Sequence, residues 1–199
     1  MIYVGIENTD SKLNELMSEL PASQIEHIYK NKGRLAHLRT TAAFILHRLI
    51  KAHAPELIPY EIAYTELGRP YIVGAGNINI SVSYAGDYAA VAIFVGGGSR
   101  VGIDMEQIKK SNLGIAKKYF TEEENKYLSS LSKDESDTEF FKLWTRYECK
   151  AKYLGGGLAD MRKDADVYIY TTVFDGDFGG KYALSVCTNK EESIDIKEF

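Results

Sequence analysis

The sequence predicts an α+β fold assembled as two similar halves of one chain, a pseudo-dimer in which each half is an antiparallel sheet packed with helices. Two observations carry this. Segments alternating apolar and polar residues recur in both halves, separated by segments with helical periodicity. In addition, Tyr3-Val4-Gly5-Ile6-Glu7 is echoed by Arg100-Val101-Gly102-Ile103-Asp104, and each copy precedes helix, helix, then strands. The division falls near Gly96 to Ser99, giving an N-terminal half over 1–98 and a C-terminal half over 99–199. An interface between two such halves is a favoured place for a site.

The elements follow in order. Ile2, Val4 and Ile6 alternate as in a half-buried strand, and Leu13, Leu16, Met17 and Leu20 then fall at helical spacing before Pro21. Ser23 and Glu26 have capping-box spacing for a short second helix that Gly33 ends. Leu35, Leu38, Ala42, Ile45 and Leu49 mark one face of a longer helix reaching about Ala52. Strands follow over 61–65, 78–83 and 88–95, with a turn over 67–71, and the glycines at 96 to 98 lead a further strand over 100–104 into the same meander. In the second half the lysine-rich segment 108–119 reads as helix, and Thr121 with Glu124 caps another to about Leu131. Residues 132–137 read as a polar loop. Phe140, Trp144, Tyr147, Ala151 and Leu154 then mark the apolar face of a helix that ends in a glycine run. Strands over 167–174 and 182–188 follow, with 193–199 an edge strand or a tail.

Composition excludes several classes. With 45% hydrophobic residues, 26% charged residues and a net charge of -4, the chain has neither the basic excess of a nucleic-acid binder nor an apolar run able to span a bilayer. Two cysteines make no disulfide framework, and the N-terminus lacks a signal-peptide pattern, so the chain reads as a cytoplasmic protein. All four histidines lie in the first half, without metal-binding spacing. Proton transfer at a site in the second half therefore falls to carboxylates, lysine or tyrosine.

Two stretches offer such a site. In VGIDME, Asp104 and Glu106 stand two apart on a strand and share a face, so both can reach one ion. Two or three carboxylates with water and phosphate oxygens are the usual shell of Mg2+. In WTRYECKAKYLGGGL, Glu148 and Lys152 stand at i,i+4, which by itself describes a helix ion pair worth about 0.3–0.5 kcal/mol. Taken singly, each is better explained as a solvated surface feature.

Together, G-I-D-x-E followed by W-T-x-x-E-C-x-x-K-x-x-G-x-G-L resembles the signature of the 4'-phosphopantetheinyl transferases, most closely the longer, two-half branch that activates peptide and polyketide synthases. Phe120-Thr121-x-x-Glu124, Gly68-Arg69-Pro70-Tyr71 with Asn79-Ile80-Ser81, and Leu38-Arg39-Thr40 are similar to further motifs of that family in the same order. The resemblance implies transfer of the phosphopantetheine arm of coenzyme A to a serine of an acyl or peptidyl carrier protein of fatty acid, polyketide or peptide assembly. It implies that Asp104, Glu106 and Glu148 hold Mg2+ (hard oxygen ligands accept Mn2+ as well) and that Lys152 meets a phosphate. Glu148, or Glu124 after it, would take the serine proton. Arg39, Arg69 and Ser81 would bind the coenzyme.

One departure stands out. Valine at position 82 occupies the place where the family usually has a histidine for the coenzyme's 3'-phosphate. It is the one feature pointing to the alternative, a degenerate member that binds carrier or nucleotide without turnover. Lys109, Lys110, Lys117 and Lys118 stand in an acid-free stretch from 107 to 120, and eight-residue spacing on one helix would pair them as a docking face for an acidic carrier. The two-half plan predicts a monomer.

Overall fold

The structure is a computed structural model and describes residues 1–9, 17–18, 20, 24–25, 28, 33–177 and 179–198. The two short helices expected before Gly33 lie almost wholly outside the described residues. Among those described, the order is β1 (Ile2–Asn8), α1 (Arg34–His53), β2 (Ile62–Tyr64), β3 (Pro70–Ile72), β4 (Ile78–Ala85), β5 (Tyr88–Val95), β6 (Val101–Gln107), α2 (Leu113–Tyr119), α3 (Glu122–Ser130), α4 (Lys133–Leu154), β7 (Tyr168–Asp175), β8 (Lys181–Thr188) and β9 (Ile194–Glu198). The fold is α+β.

Two sheets stack between two helices. One sheet has the order β4-β5-β1-β9, the other β6-β8-β7, and β2 pairs β3 in a separate hairpin. Ile45, Leu49 and Ile50 of α1 pack on Ile80, Val91 and Ile93 to form one core. The opposite faces of β1 and β5, with Val4, Ile6, Ala90 and Ala92, pack on Val101, Ile103, Met105, Leu184 and Val186 to form the second. β5 is covered on both faces, which is why 88–95 is a continuous apolar run rather than an alternating one. A third cluster, built on Phe120, Leu128 and Phe140 with Tyr147 and Trp144 against it, joins α2, α3 and α4.

Four expectations are corrected. The meander stops at β5: Gly96 and Gly98, at φ of 132° and 81°, turn the chain out of the first sheet, and β6 pairs with β8 instead. Residues 133–137 are the first turns of α4 and not a loop, because Ser132 and Glu135 form a capping arrangement in which the Glu135 carboxylate accepts from the Ser132 N–H and hydroxyl. Residues 108–112 are not helical. Asn112 caps α2 by accepting from the N–H groups of Gly114 and Ile115, so Lys109 and Lys110 precede the helix and share no helical face with Lys117 and Lys118. Finally, Pro70 and Tyr71, read as the end of a turn, open β3 and pair with Tyr64 and Ala63. The C-terminal segment is the edge strand that the sequence allows: β9 pairs parallel with β1 and so returns the chain to the first sheet.

Candidate active site

The site forms where β6 passes under α4. Even-numbered residues of β6 face the helix, and the first of them, Gly102, has no side chain to hold it off. A Cβ there would stand 2.2 Å from the Cys149 carbonyl oxygen and 2.9 Å from both Cys187 Sγ and the Tyr153 amide nitrogen. A second anchor is a run of buried hydroxyls: Thr145 on α4 bonds Ser185 on β8 at 2.8 Å, and Ser185 bonds Thr171 on β7 at 2.9 Å. These contacts fix the helix in depth and rotation, so that Glu148 and Lys152 lie over Asp104 and Glu106.

Asp104 is 2% exposed and pairs through Oδ1 with Lys152 Nζ at 2.7 Å. Lys152 Nζ also donates to Ser83 Oγ at 2.9 Å and to the Val82 carbonyl at 3.3 Å, while Ser83 Oγ donates to Asp104 Oδ1 at 2.9 Å. The other oxygen, Asp104 Oδ2, is buried with no hydrogen-bond partner. Glu106 is pushed up to about 7 by burial first and then by the charges of Asp104 and Glu148, against relief from Lys152 and the Trp144 indole. Glu148 is likewise pushed up to about 7, by burial and by Asp104. Three carboxylates therefore crowd one lysine.

Among the described residues, no group of three or more His, Cys, Asp or Glu side chains is arranged to hold a metal ion. The chemistry of the set fits one nevertheless. All donors are hard carboxylate oxygens, one is buried and unpartnered, and two carry raised proton affinity from their neighbours.

The remaining sequence-predicted residues divide. Glu124 is not in this cluster: its Oε2 accepts from the Thr121 N–H at 2.9 Å and from the Tyr147 hydroxyl at 2.8 Å. Arg69 reaches the far end of α4, donating from Nη1 to the carbonyls of Lys152 and Tyr153 and from Nη2 to Asn79 Oδ1 and the Val101 carbonyl. Ser81 is 4% exposed, and its hydroxyl oxygen accepts from the Ile103 N–H at 3.1 Å. Arg39 sits on α1 close enough to Tyr64 and Tyr84 for its charge to act on both phenols. All four lysines of the basic stretch are exposed.

Sequence reasoning missed the role of Asn79 and Ser83. Val101, Ile103 and Met105 direct their N–H groups away from β8, and these are met by Asn79 Oδ1, Ser81 Oγ and Ser83 Oγ at 2.9, 3.1 and 3.1 Å. The signal was present: Asn79-Ile80-Ser81-Val82-Ser83 places polar residues at every second position of a strand with apolar neighbours, one polar face directed at the other half.

The carboxylates and the lysine thus gather where β4 of one sheet meets β6 of the other. Residues 100–193 match the 4'-phosphopantetheinyl transferase superfamily, a span that contains β6, α4 and all the carboxylates of the site. The chain is 27% identical over 211 residues to a 4'-phosphopantetheinyl transferase of Bacillus subtilis, covering 98% of this chain and 93% of that protein. It is 28% identical over 160 residues to the 4'-phosphopantetheinyl transferase ffp of Bacillus subtilis, covering 79% of this chain and 70% of the relative. A third relative, the 4'-phosphopantetheinyl transferase gsp of Aneurinibacillus migulanus, is 29% identical over 133 residues, 67% of this chain and 50% of its own. Residues 100–193 thus carry a 4'-phosphopantetheinyl transferase superfamily match, and the likeness to transferases over nearly the whole chain supports an enzyme of that type.

Proposed function

We propose that the protein transfers 4'-phosphopantetheine from coenzyme A to the serine hydroxyl of an acyl or peptidyl carrier protein, with a divalent cation, Mg2+ or Mn2+, on the coenzyme's pyrophosphate. The observation that carries this is the crowding of Asp104, Glu106 and Glu148 around a single lysine, with Asp104 Oδ2 buried and unpartnered. Those three carboxylates would hold the ion, which supplies charge neutralisation on the pyrophosphate.

In the transfer, the serine oxygen bonds to the phosphorus that carries the pantetheine arm. The bond from that phosphorus to the bridging oxygen breaks, and adenosine 3',5'-bisphosphate departs. Glu148, the acid that α4 holds over Asp104 and Lys152, would take the serine proton. Glu124 is the weaker candidate, because its carboxylate is already committed to Thr121 and Tyr147. Lys152 would exchange its longest contact, to the Val82 carbonyl, for a phosphate oxygen and offset charge on the leaving group. Arg39 would meet the coenzyme's adenosine-side phosphates, where a guanidinium offers two-point contact. Arg69 and Ser81 would shape that side of the site from within the seam.

The carrier would approach the exposed lysines, with Lys109 and Lys110 on the loop before α2 and Lys117 and Lys118 in its last turn. Among the described residues, no helix is long and apolar enough to cross a membrane. The two halves, 1–98 and 99–199, would act as a monomer. Incubation with coenzyme A, Mg2+ and several apo carrier proteins, followed by intact mass, tests the reading. A gain of one phosphopantetheine is expected, and no gain on any carrier would overturn it.

A further inference from the structure

Ser83 lies on β4, in the half of the chain that carries none of the acids of the site, yet its hydroxyl is the most fully committed polar group there. A serine hydroxyl has one proton to donate and two lone pairs to accept with. Both lone pairs of Ser83 Oγ face groups that can only donate: the Met105 N–H at 3.1 Å and the Lys152 ammonium at 2.9 Å. Its one proton is thereby left for Asp104 Oδ1, at 2.9 Å. Ser83 is 3% exposed, so water does not compete for these bonds.

The consequence falls on Asp104. Its Oδ1 accepts from both Ser83 and Lys152, and Oδ2 is left as the buried, unpartnered oxygen of the carboxylate. Ser83 also holds the Lys152 ammonium beside the same oxygen. We infer that Ser83 is a positioning residue of the transfer reaction. It fixes which oxygen of Asp104 faces the lysine and which is offered to the cation, and by this route the N-terminal half takes part in the chemistry. The inference rests on the transferase reading above.

Ser81 gives a matched comparison. It is two residues away on the same face and 4% exposed, and its oxygen accepts the N–H of Ile103 at 3.1 Å, the same seam bond that Ser83 makes to Met105. No contact of Ser81 with Asp104 or Lys152 is present among the described residues. Ser81→Ala therefore removes a seam bond alone, whereas Ser83→Ala removes a seam bond and the orientation of Asp104.

The test is Mn2+ affinity of the free protein, read by electron paramagnetic resonance without coenzyme, beside thermal unfolding and steady-state transfer. Both alanine variants should lower the melting temperature, Ser83→Ala the more, since it also loses its bonds to Asp104 and Lys152. Mn2+ affinity should stay at the wild-type value in Ser81→Ala and fall roughly 10- to 100-fold in Ser83→Ala, the range seen when a group that orients a metal ligand is removed. Ser83→Thr, which keeps the hydroxyl, should recover most of it, and Ser83→Cys, a weak donor of similar size, should fall between. In transfer, Ser83→Ala should lower kcat more than it raises KM for coenzyme A. Equal Mn2+ affinities in the two alanine variants, no recovery in Ser83→Thr, or no Mn2+ binding by the wild type would overturn the inference. Should the wild type bind Mn2+ in this pattern but modify no carrier, the reaction assignment fails and the positioning role stands. If Ser83→Ala does not fold, the Thr and Cys variants decide.

Discussion

β1 and β6 begin from nearly the same five residues and end in different circumstances. β1 is completed by backbone on both edges, β5 antiparallel on one and β9 parallel on the other. Among the described residues β6 has a backbone partner on one edge only, and its other edge is met by the side chains of Asn79, Ser81, Ser83 and Arg69. An edge completed by backbone is sealed. An edge completed by side chains brings hydroxyl, amide and guanidinium groups against the strand, and one of these hydroxyls reaches a carboxylate. The covering helices differ to match: α1 has no Asp or Glu in its 20 residues, whereas α4 carries Glu148 directly over the site. Glu7, the echo of Asp104, instead lines a small cavity with Asn8, Tyr88, Asp175 and Asp177. The same local pattern is a structural strand in one half and the floor of a site in the other.

The comparison breaks most visibly at its two acids. Asp104→Ala should reduce transfer by about a thousandfold or more, as removal of a group that stabilises transition-state charge does. Glu7→Gln should leave transfer at the wild-type rate and alter thermal stability alone. Comparable loss of transfer in both variants would mean that the two strands are not specialised. The next largest effect is expected at Gly102. A methyl group there meets the Cys149 carbonyl oxygen at 2.2 Å, so Gly102→Ala must lift α4 from the sheet. The expected cost is about 1–3 kcal/mol of stability, as for other overpacked sites. Transfer should fall further than stability, since Glu148 and Lys152 ride on that helix. Full activity in a folded Gly102→Ala protein would count against the close approach as the device that sets the site.

How much of this was legible beforehand depended on whether the signal was local. Most of the strands, α1 and the capping box of α3 announce themselves by period and cap residues and stand within a residue or two of expectation, whereas β3 begins inside a segment that reads as a turn and β6 runs on to Gln107. The carboxylates on β6 and α4 became legible through the spacing of two motifs. What stayed hidden was non-local. Whether β6 continues the first sheet or founds a second depends on which strand competes for its edge, and β8 lies about eighty residues further along the chain. The seam bonds of Arg69 are equally invisible in the sequence, because a turn arginine carries no mark of the carbonyls it will meet. The first turns of α4 read as a loop because Lys133 to Asp137 is polar, although Ser132 and Glu135 had the spacing of a cap.

Arg69 sharpens the comparison at the seam itself. Its guanidinium donates to carbonyls of Lys152, Tyr153 and Val101 and to Asn79 Oδ1, and burial lowers its proton affinity ahead of the nearby Arg100 charge. Arg69→Ala would leave buried acceptors without donors, at a cost of about 1–3 kcal/mol. Arg69→Lys should recover only part, because a single ammonium cannot span four acceptors in a fixed plane. An equal loss from both variants would mean that packing, and not the hydrogen-bond fork, holds the seam.

A smaller effect is expected from pH. Glu106 and Glu148 are raised from 4.5 to about 7, so between those values the folded state binds more protons than the unfolded one. Stability should therefore fall as pH rises from about 4.5 to about 7, with the penalty complete above that. Mg2+ should reverse it, raising the melting temperature more at pH 8 than at pH 5. Asp104→Asn should lessen the pH dependence without abolishing it, since burial is the larger cause and Asp104 the leading charge acting on both glutamates. A pH-independent response to Mg2+ would remove the crowding as its cause.

The smallest effect lies off both strands, at the cap of α3. Thr121 accepts from the Glu124 N–H at 3.2 Å, and Glu124 returns a carboxylate oxygen to the Thr121 N–H at 2.9 Å. Thr121→Ala removes half of this exchange and should cost about 1 kcal/mol. The same Glu124 oxygen holds the Tyr147 hydroxyl, which burial and the Glu124 charge push up to about 12, so that the phenol keeps its proton and remains a donor throughout the working pH range. The Glu124 oxygen that accepts from both Thr121 and Tyr147 is already committed and is poorly placed to receive the serine proton. Thr121→Ala and Tyr147→Phe should therefore leave kcat unchanged after correction for the folded fraction. A rise in kcat when either donor is removed would mean that Glu124 takes the serine proton and that the cap restrains it; the base would then lie on α3, outside the strand-and-helix pair that separates β6 from β1.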